Sequence, residues 1–187
     1  MSDYQSNVDL GTAAALLARS RRVLVTTHAK PDGDAIGCII ALTAALRDVG
    51  KQADAWVTPP IPTTFDHLRG RDLVRPYENS SELFEPDQIV LLDTGAWAQL
   101  ESMQEHLRHH LDHLLILDHH TSGDIPAVHR YIDVGAAACA QIVTQLLDEL
   151  SLPNPSGTSL FSPTVCDALY VGLASDTGWF RFSNTSP

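Results

Sequence analysis

His28, Asp32 and Asp34 fall within one short stretch, Thr27-His28-Ala29-Lys30-Pro31-Asp32-Gly33-Asp34-Ala35-Ile36-Gly37, and bring an imidazole and two carboxylates to a single bend. A neutral imidazole with two carboxylates is a donor set for a divalent metal such as Mn²⁺, which takes nitrogen and hard oxygen ligands together. The same residues have a plainer reading, with Asp34 capping a helix, Asp32 in a turn and His28 ending a strand in solvent. Asp93 closes the apolar run Gln88-Ile89-Val90-Leu91-Leu92, and Asp118-His119-His120 closes Leu114-Leu115-Ile116-Leu117. A fourth acidic turn is Ala174-Ser175-Asp176-Thr177-Gly178. A carboxylate at the end of a buried strand is costly unless paired or metal-bound, which singles out Asp93.

These side chains can meet only if the intervening elements return the chain repeatedly to one rim. Arg22-Val23-Leu24-Val25-Thr26 predicts a buried strand, and Ile36 to Val49 predicts a helix stopped by Gly50. The bend between them is then a strand-to-helix turn, with Pro31 fixing its own φ and Gly33 free to take backbone angles closed to other residues. Ala53, Ala55 and Val57 alternate as a strand near a sheet edge, Thr58-Pro59-Pro60-Ile61-Pro62 excludes regular structure, and a short helix is expected around Phe65 to Leu68. Leu100, Met103, Leu107 and Leu111 mark an amphipathic helix. Val128 to Ile132 predicts a strand, Ala136 to Leu150 a helix, and Pro163-Thr164 starts a last helix with Val165, Ala168, Leu169 and Gly172 on one face. Continuous apolar strands separated by helices predict an α/β fold, a mostly parallel open sheet with helices on both faces, whose ligands bind outside the carboxyl ends of the strands. One strand can end in an acid by chance; three that do so point to a shared site.

The chain of 187 residues suits one domain with a substantial core. Twelve basic against 23 acidic residues give a net charge of −11, which argues against a bare electrostatic grip on long nucleic acid or an anionic membrane. An anionic substrate would then need local positive charge, which bound metal supplies. Cys38, Cys139 and Cys166 form no CxxC pair, each reads as a small buried residue, and this usage suits a reducing cytoplasm. No run resembles a secretory signal or a membrane-spanning helix. Residues Met1 to Asn7 are expected to be loose, Arg19-Ser20-Arg21-Arg22 to be a solvated helix end, and His106, His109, His110 and His113 to be solvated near a helix C-terminus. Asp66 and His67 are expected in solvent, and Trp179 and Phe180 in the core rather than against a base. The sequence holds no G-x-S-x-G elbow, no phosphate loop and no G-x-G-x-x-G fingerprint.

Taken together, these motifs resemble the DHH phosphoesterase family, named for the triplet present here as Asp118-His119-His120. The resemblance runs from Val23 to Pro187 and comprises four motifs in order. His28-x-x-Pro31-Asp32-Gly33-Asp34-x-x-Gly37 and Gly178-x-Phe180-Arg181-Phe182-Ser183-Asn184-Thr185 are similar to the NrnA-type branch, nanoRNases that also act on 3′-phosphoadenosine 5′-phosphate or on linear and cyclic dinucleotides. The resemblance implies a Rossmann-like DHH catalytic domain over residues 1–187, without the C-terminal DHH-associated substrate-binding domain of the family. It also implies two divalent ions, usually Mn²⁺ with Mg²⁺ or Co²⁺ as alternatives. His28, Asp32 and Asp93 would hold one ion, and Asp34, Asp93, His119 and Asp176 the other, with Asp93 bridging. Asp118 would support the ligands from behind, and His120 would face the substrate phosphate. Four carboxylates would balance the charge of the two ions, which about 3.5 to 4 Å apart could activate a shared water for in-line attack at phosphorus. The implied activity is hydrolysis of short oligonucleotides, dinucleotides or 3′-phosphoadenosine 5′-phosphate. Pyrophosphate or polyphosphate hydrolysis on the same metals, and a nucleotide-binding module without turnover, stand as alternatives. Cys38 stands where a serine is common in this branch, and Gly135-Ala136-Ala137-Ala138 lacks the serines expected there. Substrate, cleavage polarity and oligomeric state, a homodimer included, are not fixed by the sequence.

Overall fold

Segments of three to six residues form the strands β1 (Arg22–Thr27), β2 (Gln52–Val57), β3 (Val74–Pro76), β4 (Gln88–Leu92), β5 (Leu114–Asp118) and β6 (His129–Ile132). The helical patterns become α1 (Leu10–Arg19), α2 (Gly33–Asp48), α3 (Met103–Arg108), α4 (Cys139–Glu149) and α5 (Pro163–Asp176). The structure is a computed structural model describing residues 4–78, 85–150 and 160–185; Ser80 and Ser81 and the Asn154-Pro155-Ser156-Gly157 break lie outside these.

The strands form one sheet, ordered β3-β2-β1-β4-β5-β6, and every pairing is parallel. The order therefore reverses between β1 and β4, where an open α/β sheet leaves a crevice at its carboxyl ends. Alternate side chains fill two cores. Val23, Val25, Ala55, Val90, Leu92, Leu115 and Leu117 face α1, α2 and α4, while Leu24, Ile89, Leu91, Leu114 and Ile116 face Trp97, Leu100, Met103 and Leu107. Helices thus cover both faces, thickly on one and thinly on the other.

Helix α2 is buried at every residue from Gly33 to Leu46, because α5 packs on the side turned away from the sheet. Such a helix needs to be apolar all round, and Ala35-Ile36, Cys38 to Leu42 and Ala44 to Leu46 make it so. A Cβ on Gly37 would lie 2.4 Å from the Ala168 carbonyl oxygen and 2.9 Å from the Gly172 nitrogen, so the two backbones cross in direct contact. Gly50, at φ 82°, ends the helix, with Lys51 N–H donating to Leu46 O at 3.0 Å.

Several expectations change. Strand β3 was not legible, being three residues long with one buried side chain and a proline that an edge strand tolerates. Leu100 to Leu111 is not one helix: α3 keeps six residues between short 3₁₀ turns. Helix α4 starts at Cys139 rather than Ala136, because Ala138 is extended. Cys166 is exposed, unlike Cys38 and Cys139. Trp179 and Phe180 are 67% and 46% exposed and do not enter the core. Residues 4–7 are not loose: Asn7 N–H donates to Arg130 O at 2.9 Å, and Ser6 and Asn7 side chains bond the backbone of β6. Arg19, Arg21 and Arg22 are exposed as expected, as are Asp66 and His67. No helix among the described residues is long and apolar enough to cross a membrane.

Candidate metal centre

His28 follows the last residue of β1, Asp93 the last of β4, and His119 the last of β5; these strands are neighbours, so their ends share one rim. Thr27 Oγ1 fastens two of those ends by donating to Leu92 O at 2.8 Å. Asp93 takes a left-handed backbone, φ 63°, a conformation Asp tolerates better than most residues, while its N–H continues the ladder to Leu117 O at 3.0 Å.

The helix caps are made by the same acids. Asp32, not Asp34, caps α2, accepting from the N–H groups of Asp34 and Ala35 at 3.0 Å each. Gly33 has no left-handed φ; its missing Cβ makes room instead, since one built there would lie 2.5 Å from Ser175 Oγ. Asp34 caps a different helix: its oxygens accept from Cys139 N–H at 2.6 Å and Ala140 N–H at 2.9 Å, the first turn of α4, whose own N-cap Ala138 has no side chain to do so. Cys38 Sγ adds a weak donor to Asp34 at 3.4 Å. Asp176 is the last residue of α5, brought beside Asp34 by the Gly37–Gly172 crossing.

Three groups of ligand-type side chains result, each with donor atoms within 4.8 Å of one another: His28, Asp32 and Asp93; Asp34, His119 and Asp176; and Asp93, His119 and His120. His119 Nε2 lies 3.3 Å from Asp93 and 3.6 Å from Asp176, and His28 Nε2 3.6 Å from Asp93. Every site residue singled out in the sequence is therefore in this cluster or directly behind it. His106, His109, His110 and His113 join no such group among the described residues; the His106 and His110 rings stack at 4.5 Å.

Asp118 is completely buried. Its Oδ1 accepts from the N–H groups of His119 and His120 and lies 2.7 Å from His120 Nδ1. Its Oδ2 accepts from the Tyr4 hydroxyl at 2.6 Å. Sequence reasoning missed Tyr4: the contact joins residues 114 apart, and nothing local marks it.

The electrostatics match a crowded acidic site. Burial, then the Asp93 charge, push Asp34 up to about 7 against the two N–H donors of α4. Burial would lower His119, but the hydrogen bond and charge of Asp93 more than reverse this and bring it to about 9. Burial acts to raise Asp93, and its hydrogen bonds to His119 and His28 outweigh that and hold it below the ordinary carboxylate range. Asp176 is raised, first by burial. Among the described residues no Lys or Arg pairs with Asp32, Asp34, Asp93 or Asp176; the Lys and Arg ion pairs lie with Glu101, Asp54, Asp167 and Asp66. Four carboxylates with only imidazoles for counter-charge are a donor set that divalent cations fit, in type and in charge.

The chain matches the family model described as DHH family, N-terminal domain, over residues 22–173. It belongs to the DHH family. A bifunctional oligoribonuclease and PAP phosphatase NrnA of Thermus thermophilus is 30% identical over 176 residues, covering 94% of this chain and 49% of the relative. A cyclic-di-AMP phosphodiesterase GdpP of Geobacillus thermodenitrificans is 24% identical over 198 residues, covering 91% of this chain and 27% of its own. This DHH chain thus spans about half the length of the NrnA relative and a quarter of the GdpP relative. The fold is that of an exopolyphosphatase-related protein from Bacteroides fragilis, at a TM-score of 0.84 and 19% identity over 100% of this chain and 55% of the other. The chain is thus similar to NrnA proteins in sequence and shares its α/β fold with the exopolyphosphatase-related protein.

Proposed function

We propose that this chain is the catalytic domain of a two-metal phosphoesterase, Mn²⁺-dependent with Mg²⁺ or Co²⁺ as substitutes, that hydrolyses short oligonucleotides, linear or cyclic dinucleotides, or 3′-phosphoadenosine 5′-phosphate. The observation that carries the reading is the pair of ligand groups, His28/Asp32/Asp93 and Asp34/His119/Asp176, joined through the Asp93–His119 contact and lacking any Lys or Arg partner among the described residues. The names of the NrnA and GdpP relatives support the substrate class. The family description as an N-terminal domain, and the share of each relative covered, support reading residues 1–187 as the catalytic part.

On this reading His28, Asp32 and Asp93 hold one cation, and Asp34, Asp93, His119 and Asp176 the other. Bound cations would supply charge stabilisation at the phosphoryl oxygens and a water acidic enough to attack at neutral pH. The remaining roles fall to the protein. His120, half-exposed at the rim, offers Nε2 to the substrate phosphate while Asp118 holds Nδ1. The buried strand ends keep the ligand geometry fixed. A net charge of −11 disfavours long nucleic acid and leaves small nucleotides, whose charge the cations meet locally.

The test is metal content together with turnover of pApA, 3′-phosphoadenosine 5′-phosphate, cyclic dinucleotides and pyrophosphate, with and without Mn²⁺. Two ions per chain and Mn²⁺-dependent cleavage of a nucleotide substrate are expected. Preferential release of phosphate from pyrophosphate, or nucleotide binding without product, would overturn the assignment.

A further inference from the structure

Tyr4 is tied to the centre from the far end of the sequence. Its ring is buried in a slot between Gly95 and Gly123: a Cβ on Gly95 would fall 2.3 Å from Tyr4 Cζ, and one on Gly123 would fall 2.4 Å from Cε2, so neither position accepts a side chain while the ring is there. The slot is held shut by Asp124 and Ile125, whose N–H groups both donate to Gly95 O at 2.9 and 3.0 Å. At its end the Tyr4 hydroxyl meets Asp118 Oδ2 at 2.6 Å. Asp118 Oδ1 meets His120 Nδ1 at 2.7 Å and two backbone N–H groups of the same triplet. No Lys or Arg pairs with Asp118 among the described residues.

We propose that Tyr4 is a positioning residue for His120, acting through Asp118. With one oxygen anchored by the hydroxyl, the Asp118 carboxylate has a single orientation, and its other oxygen is aimed at His120. An ionised carboxylate only accepts hydrogen bonds, so this contact keeps the proton on Nδ1 and leaves Nε2 turned outward at the rim. A group behind a reacting imidazole sets its tautomer and ring direction, and such groups cost activity when removed even though they touch no substrate. The chain of contacts, Tyr4 to Asp118 to His120, joins the N-terminal strap on β6 to the group that would meet the phosphate.

Tyr4→Phe tests this, because the ring still fills the glycine slot and only the hydroxyl is lost. Its kinetic arm rests on the phosphoesterase reading above; its spectroscopic arm does not. In ¹⁵N-histidine spectra recorded with Mg²⁺, His120, assigned through His120→Gln, is expected as the Nδ1–H form in the parent and as a tautomer mixture in Tyr4→Phe. With a nucleotide substrate, kcat is expected to fall about ten-fold with KM nearly unchanged, and the melting temperature to fall by a few degrees because the buried Asp118 Oδ2 loses its hydrogen bond. In an Asp118→Asn background the same substitution is expected to add less than about a two-fold effect, since coupled residues are not additive. An unchanged His120 spectrum, an unchanged kcat, or an equal loss in both backgrounds overturns the proposal. A parent chain that turns over no nucleotide refutes the phosphoesterase reading instead, and the spectrum alone then decides the role of Tyr4.

Discussion

Gly37→Ala should damage the centre without touching it. The added methyl would sit 2.4 Å from Ala168 O and 2.9 Å from Gly172 N, both backbone atoms of α5 that cannot turn aside. Ordinary contact begins near 3.4 Å, so α5 must retreat by about 1 Å, and overpacking of this kind costs roughly 1–3 kcal/mol. For a chain of this size that corresponds to a melting temperature lower by about 5 °C. The same helix ends in Asp176, whose carboxylate is 3.6 Å from His119 Nε2. With ligand bonds of about 2.1 Å, two donors to one ion stand at most about 4.2 Å apart, and a retreat of about 1 Å along the His119 direction exceeds that span. On the two-metal reading the Asp34/His119/Asp176 group should therefore lose its cation while His28/Asp32/Asp93 keeps its own, and turnover should fall about 100-fold, as misplacement by an ångström does elsewhere. Circular dichroism melting, metal analysis after dialysis and nucleotide turnover measure the three effects. A Gly37→Ala protein that melts with the parent and retains full metal would refute the helix-crossing argument.

Further expectations concern single residues. On the two-metal reading Asp93→Ala should remove both cations, because Asp93 would bridge them, standing beside His28 of one group and His119 of the other; full metal occupancy in that variant contradicts the assignment. His120→Ala should leave the metal content unchanged and lower kcat by about 100-fold, a loss typical of removing one group that meets developing charge; a variant that loses metal instead would make His120 a ligand. His106 gives a pH effect away from the centre. Burial, followed by the charge of neighbouring His110, holds its pKa below 6.5, so the folded state disfavours the proton and stability is lost as pH falls below 6.5 toward the folded value. The His106→Asn variant should lose less stability than the parent between pH 7 and pH 5 in chemical denaturation, and parallel curves would argue against it.

Where the sequence was informative, the reason is that burial imposes a pattern. Gln88 to Leu92 and Leu114 to Leu117 are covered on both faces, so they read as unbroken apolar runs, and an acid at the end of each is conspicuous. The same logic exposed His28, Asp32, Asp34 and Asp176 at turns. What stayed hidden depends on partners distant in the chain. Asp34 looks like the cap of its own helix, yet it serves α4, and only the fold reveals that Ala138 leaves those N–H groups open. Trp179 and Phe180 have the composition of core residues, but both take left-handed backbone, at φ 59° and 63°, in the turn after α5, and that turn sends them outward. Gly37 and Gly172 read as ordinary helix positions until the two backbones are seen to touch.

The burial of α2 on all sides ties the site to the helix that covers it. Among the described residues this helix, with Asp34 at its start, takes its outer cover from α5, residues 163–176. His28, Asp32, Asp34, Asp93 and His119 are carried at the ends of β1, β4 and β5 and the start of α2, but the sixth, Asp176, comes on the very element that seals α2. Docking of α5 on α2 and the arrival of Asp176 beside Asp34 and His119 are thus one event, so the ligand-type cluster is complete only when the helix packing is.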